Sequence, residues 1–482
     1  MFRPPRDARA LRAGHVWQTM NPSRKSKKKP INLYRLVHRQ SRLTTAWKHV
    51  EKRVEVSKDV ETQKSLATFR KDPAKSTALI SEQLRKSKFV FEPQRGYAKA
   101  RRGKMPRPIV VAPIVNRIVQ RTILDICQDE DPSVRRALGD LPSVIDCPTS
   151  LGGLPDRGVK DAVAQLQTAI KNGAKWYVRS DLKNFFTKIP KAKIEEFLRK
   201  NIVDNAFVNL FMKALETELS NEADVRKDLD LFPTGDLGVP QGSALSALCA
   251  NIILADFDRE LNGRGVTTIR YLDDFVILAS SRKAVGKAWS QALGLLAEAG
   301  LEAHDPNECK GKASHGEIEK GFDFLSFRIK GATAAPSIEA RQKFLDGIST
   351  LIKEAKKDIQ NTTSKQRRAE PRFFQTMVLI DQKTRGWGDA FRSTTQRVVF
   401  GQMDQKIHRL INDFAAWFQH YSTRENPNAQ MRMMGMALLI DTPSQDQNDQ
   451  PRNVASRHRV PVQKAPKVPK ESDSPRKLLA DN

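Results

Sequence analysis

Cysteine is scarce in this chain and never clustered. The four residues Cys127, Cys147, Cys249 and Cys309 include no Cys-x-x-Cys pair, and no histidine stands at zinc-ligand spacing from them. That leaves no readable zinc module or disulfide framework and fits a reducing, cytoplasmic setting. Long hydrophobic runs are missing too: no apolar stretch nears the roughly 20 residues that span a bilayer, so no membrane partner is expected. No apolar run follows a charged start, as a secretory signal would require. Acidic residues are the minority. Against 83 Lys and Arg stand 55 Asp and Glu, a net charge of +28. Such an excess is far beyond what solubility needs and marks a polyanion binder, with nucleic acid the leading partner.

What is present divides into segments. At 482 residues the chain can build two or three subdomains. Residues 1–30 are basic and turn-rich, ending in Arg24-Lys25-Ser26-Lys27-Lys28-Lys29-Pro30, and read as a flexible arm. Residues 31–160 open with a helical pattern through Leu33, Leu36, Val37, Ala46, Trp47 and Val50. They continue into a basic, β-like run at 97–111 and an amphipathic helix through Ile114, Ile118, Val119 and Ile123. Residues 161–335 mix strands and helices: a strand at 175–180 that ends on Asp181, and a long helix from Ala244 to about Leu261 with Ser243 as N-cap. A helix from Arg282 to Gly300 and a strand pair near 321–329 follow. Residues 336–422 are helical, and 441–482 form a polar, Pro- and Lys-rich tail expected to be disordered.

The chemistry concentrates at Tyr271-Leu272-Asp273-Asp274, which sits between the apolar runs 267–270 and 275–279 and reads as the tight turn of a hairpin. An Asp-Asp turn alone is most often a solvated turn. Adjacent carboxylates nevertheless repel, and a divalent cation is the simplest neutraliser. If the strand ending on Asp181 neighbours this hairpin, the carboxylates converge at one sheet edge and can hold two divalent ions.

These residues resemble a known family, the reverse transcriptases, most closely the group II intron-like and bacterial stand-alone members. Arg179-Ser180-Asp181-Leu182-Lys183-Asn184-Phe185-Phe186 is similar to the first catalytic motif and Gly238-Val239-Pro240-Gln241-Gly242-Ser243 to the second. Tyr271-Leu272-Asp273-Asp274 is similar to the third, and Phe324-Leu325-Ser326-Phe327 to the primer grip. Arg102-Gly103-Lys104-Met105-Pro106-Arg107 resembles the triphosphate-binding segment, Thr149-Ser150-Leu151-Gly152-Gly153 a further family element, and Arg385-Gly386-Trp387 the thumb. The resemblance implies an α+β, right-hand polymerase: fingers within 31–160, a palm at 161–335 with an antiparallel sheet plus helices, and a helical thumb at 336–422.

It also implies roles. Asp181, the Leu182 carbonyl and Asp273 would hold two Mg2+ ions, with Asp274 a weaker ligand or a structural acid beside them. Lys104 and Arg107 would grip the triphosphate, Arg107 with its planar fork. Phe186 would exclude a 2′-hydroxyl while Phe185 is core, and Gln241 and Gly242 would lie under the base pair. Lys310, or else Lys312, would protonate the leaving pyrophosphate. Tyr271, Phe324, Leu325 and Ser326 would face primer and template, and Arg341, Lys343 and Lys353 the duplex phosphates. The implied function is RNA-directed DNA synthesis from deoxyribonucleoside triphosphates, with an RNA template, expected to be a dedicated structured non-coding RNA in antiviral defence, and a DNA product. The alternatives are a group II intron protein that assists splicing and mobility, and a catalytically idle RNA-binding scaffold; retention of Asp181, Asp273 and Asp274 speaks against the last.

Overall fold

The structure is a computed structural model that describes residues 31–442 apart from 58, 102–103, 264, 309–310 and 363–372. The arm at 1–30, Arg102, Gly103, Lys310 and the tail from 443 therefore lie outside the described residues, as does the side chain of Lys104. The chain forms two compact units, one of 31–348 with 382–410 and a second of 349–381 with 411–442.

In the first unit the helical N-terminal stretch is four helices, Leu33–Val37, Gln40–Val54, Val60–Lys71 and Pro73–Arg85. Each boundary has a local cause. Asn32, Asp59 and Asp72 accept the backbone N–H three residues on, at 2.6, 2.8 and 2.9 Å, and Pro73 sits where its missing N–H costs nothing. The apolar faces meet the helix Ile114–Cys127 around Leu43, Trp47, Ile118 and Ile123. Between them β1 (Arg95–Arg101) and β2 (Lys104–Val111) form an antiparallel hairpin.

The centre is a four-stranded antiparallel sheet in the order β4 (Val266–Tyr271), β5 (Asp274–Ala279), β3 (Trp176–Asp181), β6 (Ser314–Glu317). Period-two alternation sorts its side chains. Val178, Phe275, Ile277 and Ala279 face a core shared with the helix Arg282–Ala299, through Val285, Ala288, Ala292 and Leu296. Tyr177, Ile269, Val276 and Leu278 face the helix Val159–Lys171 and a second sheet. That sheet has three strands rather than the expected pair: β7 (Phe322–Phe324), β8 (Phe327–Lys330) and β9 (Thr333–Pro336). Tyr177 stacks on Phe322, centroids 4.0 Å apart, and joins the two sheets.

One helix expectation is corrected. The stretch 244–261 is two helices, Ser246–Ile253 and Ala255–Glu260, broken at Leu254, and Ser243 does not cap the first. The Ser243 N–H and the Ser246 hydroxyl both donate to the Pro240 carbonyl, at 3.1 and 2.7 Å, so the chain is still held in a turn where a helix was expected to start. The region 336–422 comprises the helices Ile338–Thr362, Phe373–Ala390 and Val398–Ser422. The break at 391–397 is fixed by Thr395, whose N–H donates to Ala334 of β9 at 2.8 Å. In the second unit Phe373 packs on Phe414 and Phe418, and Lys356 lies 5.0 Å from the Trp417 ring.

Candidate active site

Register places the acids. β3 and β5 pair so that Asp181 stands opposite Asp274, and β4 and β5 pair so that Tyr271 does too, which leaves Leu272 and Asp273 as the turn. Leu272 sits at φ +58°, a left-handed conformation that a branched side chain rarely adopts. The Leu182 N–H donates to the Asp273 carbonyl at 3.1 Å, so the end of β3 is stitched to the turn. Asp181, Leu182, Asp273 and Asp274 are thereby gathered at one sheet edge.

The electrostatics there disfavour the ionised carboxylates. Burial, then repulsion from Asp273 and Asp181, pushes the Asp274 carboxyl up to about 6, although Arg179 and Lys312 relieve it. Asp273 is raised as well, by burial first and with Asp181 contributing, while Lys312 and Arg107 oppose the rise. Lys312 binds Asp181 Oδ2. The other oxygen, Oδ1, is buried with no hydrogen-bond partner, and His304 Nε2 stands 3.7 Å from the carboxylate. Burial lowers the His304 pKa, with Asp181 opposing.

An orphaned carboxylate oxygen among like charges, with an ammonium group already drawn in, fits a cation site. No three His, Cys, Asp or Glu side chains among the described residues form a ready cage. Magnesium suits such an incomplete set, because it keeps waters and takes substrate phosphates as ligands beside one or two carboxylates.

Of the residues expected to meet substrate, Phe185 and Phe186 follow just after the end of β3. Phe185 is buried, and Phe186 is partly exposed beside it, ring centroids 5.3 Å apart. The Phe186 carbonyl accepts the Val239 N–H at 2.7 Å, which anchors the 238–243 loop to the first motif. Gln241 offers its carbonyl to Val110 N–H at 3.0 Å, so the same loop docks on β2. Gly242 has φ +127°, and a Cβ there would stand 2.7 Å from the Val110 carbonyl oxygen; it is the hairpin backbone that fills the space a side chain would need. Arg107 is exposed on β2 and within electrostatic reach of Asp273.

Phe324 is buried, and the turn after it, Leu325-Ser326, carries two successive positive φ angles, 48° and 69°. A cleft of about 620 Å³ opens beside that turn, lined also by Arg157, Lys160 and Asp389. The Ser326 carbonyl accepts Ser337 N–H at 2.8 Å, and the Ser337 carbonyl accepts Arg341 N–H at 3.0 Å. Lys343 is exposed on the same helix in the first unit, whereas Lys353 is exposed in the second.

Sequence reasoning missed three groups. His304 touches Asp181, its N–H donating to the Asp181 carbonyl at 3.1 Å. Lys191 donates to the carbonyls of Pro233 and Gly235, at 3.2 and 2.6 Å, and staples the loop ahead of the second motif. Arg270 lies wholly buried next to the acidic turn. The legible signal for Arg270 was a charged residue interrupting an apolar strand; His304 and Lys191 carried none.

Comparison with known proteins agrees with this geometry. Residues 98–329 match the family model described as reverse transcriptase (RNA-dependent DNA polymerase). Protein YkfC of Escherichia coli is 26% identical over 273 residues, covering 49% of this chain and 66% of that protein. An uncharacterized 91 kDa protein in the cob intron of Schizosaccharomyces pombe is 29% identical over 181 residues, 37% of this chain and 20% of that protein. A putative COX1/OXI3 intron 1 protein of Saccharomyces cerevisiae is 27% identical over 187 residues, 38% and 20% respectively. The chain thus spans just under two thirds of the first relative, at 66%, and 20% of each intron protein. The matched residues contain the β1–β2 hairpin from Ala98 on, the β3–β5 carboxylate edge and the turn after Phe324, and over them this chain, with its α+β polymerase fold, carries a reverse transcriptase domain.

Proposed function

We propose that this chain synthesises DNA on an RNA template by two-metal phosphoryl transfer, with fingers in 31–160, palm in 161–335 and thumb in 336–422. The observation that carries the reading is the buried carboxylate edge, where Asp181 opposes Asp274 across β3 and β5, Asp273 adjoins in the turn, and one Asp181 oxygen is unpartnered. Two magnesium ions, held by Asp181, Asp273 and the Leu182 carbonyl with Asp274 as a weaker ligand, would activate a primer 3′-hydroxyl and stabilise the leaving pyrophosphate.

The chain's own residues do the rest. Arg107 and Lys104 bind the incoming triphosphate, and Phe186 leaves no room for a 2′-hydroxyl. Gln241 and Gly242 support the templating pair from the loop that docks on β2. Tyr271 and the Phe324-Leu325-Ser326 turn hold the primer end. Arg341, Lys343 and Lys353 meet duplex phosphates. Lys310, or else Lys312, gives a proton to pyrophosphate; the Lys312 ammonium lies on Asp181.

The finer reading is a stand-alone enzyme that keeps a dedicated structured RNA, acting in antiviral defence in the cytoplasm; the +28 charge supports the RNA partner. The second reading, help with intron splicing and mobility, is favoured by the intron origin of two relatives. Sequencing the nucleic acid that co-purifies with the protein separates them. One enriched structured RNA supports the first, intron RNA the second, and failure to extend a primed RNA template with magnesium and deoxyribonucleotides overturns both catalytic readings.

A further inference from the structure

Next to the acidic turn lies an ion pair almost without access to water: Arg270 is 0% exposed and Asp258 4%. Arg270 Nε donates to Asp258 Oδ1 at 2.7 Å and Nη2 to Oδ2, a two-pronged grip. A pair buried only to fill space gains little, since apolar residues of like volume serve as well. Here the guanidinium has further work. Nη2 also donates to Ser150 Oγ at 2.6 Å and Asn251 Oδ1 at 3.0 Å, and Nη1 donates to the Leu272 carbonyl at 3.0 Å. Ser150 and Asn251 are themselves fully buried, and Asn251 Nδ2 donates to the Gly152 carbonyl at 3.2 Å. One side chain thus ties the segment 150–152 and the helices Ser246–Ile253 and Ala255–Glu260 to the turn.

The bonded carbonyl belongs to the residue that most needs holding. Leu272 is in the left-handed region at φ +58°, a conformation that persists only where its surroundings over-determine it. A further constraint is contact: a Cβ on Gly152 would stand 2.5 Å from the Leu272 nitrogen, so the backbone of 152 presses directly on the turn. Asp273 is the next residue.

We infer that Arg270 is a positioning residue for catalysis. Its guanidinium, seated on Asp258, Asn251 and Ser150, holds the Leu272 carbonyl and fixes the left-handed turn that aims Asp273 into the site. The inference rests on the polymerase reading, in which a small misplacement of a reacting group is costly.

The test compares wild type, Arg270→Lys, and the paired replacement Arg270→Met with Asp258→Leu, which removes both ions at similar volume and keeps a foldable core if the lysine variant does not fold. Manganese affinity of the protein by electron paramagnetic resonance and single-turnover primer extension are the readouts. Both variants should bind manganese more weakly and extend about a hundredfold more slowly per active molecule. KM for the nucleotide should stay within about twofold, as for an interaction felt mainly in the transition state. A folded double variant with wild-type manganese affinity and wild-type rate overturns the inference, as does loss of melting temperature alone with rate per active molecule unchanged. A wild type that binds manganese yet extends no primer sinks the polymerase reading instead; the positioning role is then decided by manganese affinity, weakened in support or unchanged against.

Discussion

Asp274 shows what a single buried carboxyl costs the fold. Its folded pKa, about 6 against an ordinary 3.8, means that the folded chain holds this proton more tightly than the unfolded chain does. Folding is therefore penalised progressively as pH rises through that window, and the penalty is complete above it. Asp274→Asn removes the charge at nearly constant volume. The variant should stabilise the metal-free protein at pH above 7 by roughly 1–3 kcal/mol, with the gain vanishing below about pH 4. Thermal melts across a pH series check this, and a variant less stable than wild type at neutral pH contradicts it. Phe186 makes a different prediction. With Phe185 taken into the core and Phe186 left partly exposed at the site, Phe186→Ala should raise ribonucleotide over deoxyribonucleotide incorporation by about tenfold or more, in proportion to the lost steric exclusion. A competition assay reads the ratio, and an unchanged preference returns Phe186 to a packing role.

Elements explain what the residues alone do not. Gly242 joins the 238–243 loop to β2, where its Cβ would meet the Val110 carbonyl at 2.7 Å. Gly242→Ala must displace that backbone and strain a positive φ, costing about 1–3 kcal/mol locally. The expected result is a raised KM for the nucleotide with little loss of melting temperature, because the core below the loop is untouched; an unaltered KM contradicts the docking role. The strands and their carboxylates were legible because alternating apolar residues and an Asp-Asp turn leave a local trace. The late start of the helix at Ser246 was not, since Ser246 and Ser243 spend their groups on the Pro240 carbonyl, a turn that helix propensity does not register. Arg270 escaped for a related reason. Its partners Asp258 and Ser150 lie 12 and 120 residues away, and nothing in spacing announces either.

At the scale of the molecule, charge and motif order were the readable signals, while the division of the helical C-terminal region between two compact units was not, because helical periodicity is the same on both sides of it. A charge of +28 predicts RNA affinity that falls steeply between low and physiological salt. Removing residues 1–30 should flatten that slope without abolishing extension on an artificial primed template, because the carboxylate edge is built from β3, β4, β5 and the residues that follow β3 and join β4 to β5. Filter binding across a salt series tests it; an unchanged slope shows that the arm's cations do not reach the RNA.

The central claim, that Asp181 and Asp273 hold the metals for DNA synthesis, is tested most directly by magnesium-dependent primer extension on an RNA template with Asp181→Asn and Asp273→Asn beside wild type. Each change deletes one metal-binding charge at almost no change in volume. The account predicts that extension is lost in both while melting temperature and RNA binding persist. Extension near the wild-type rate in either variant would contradict it.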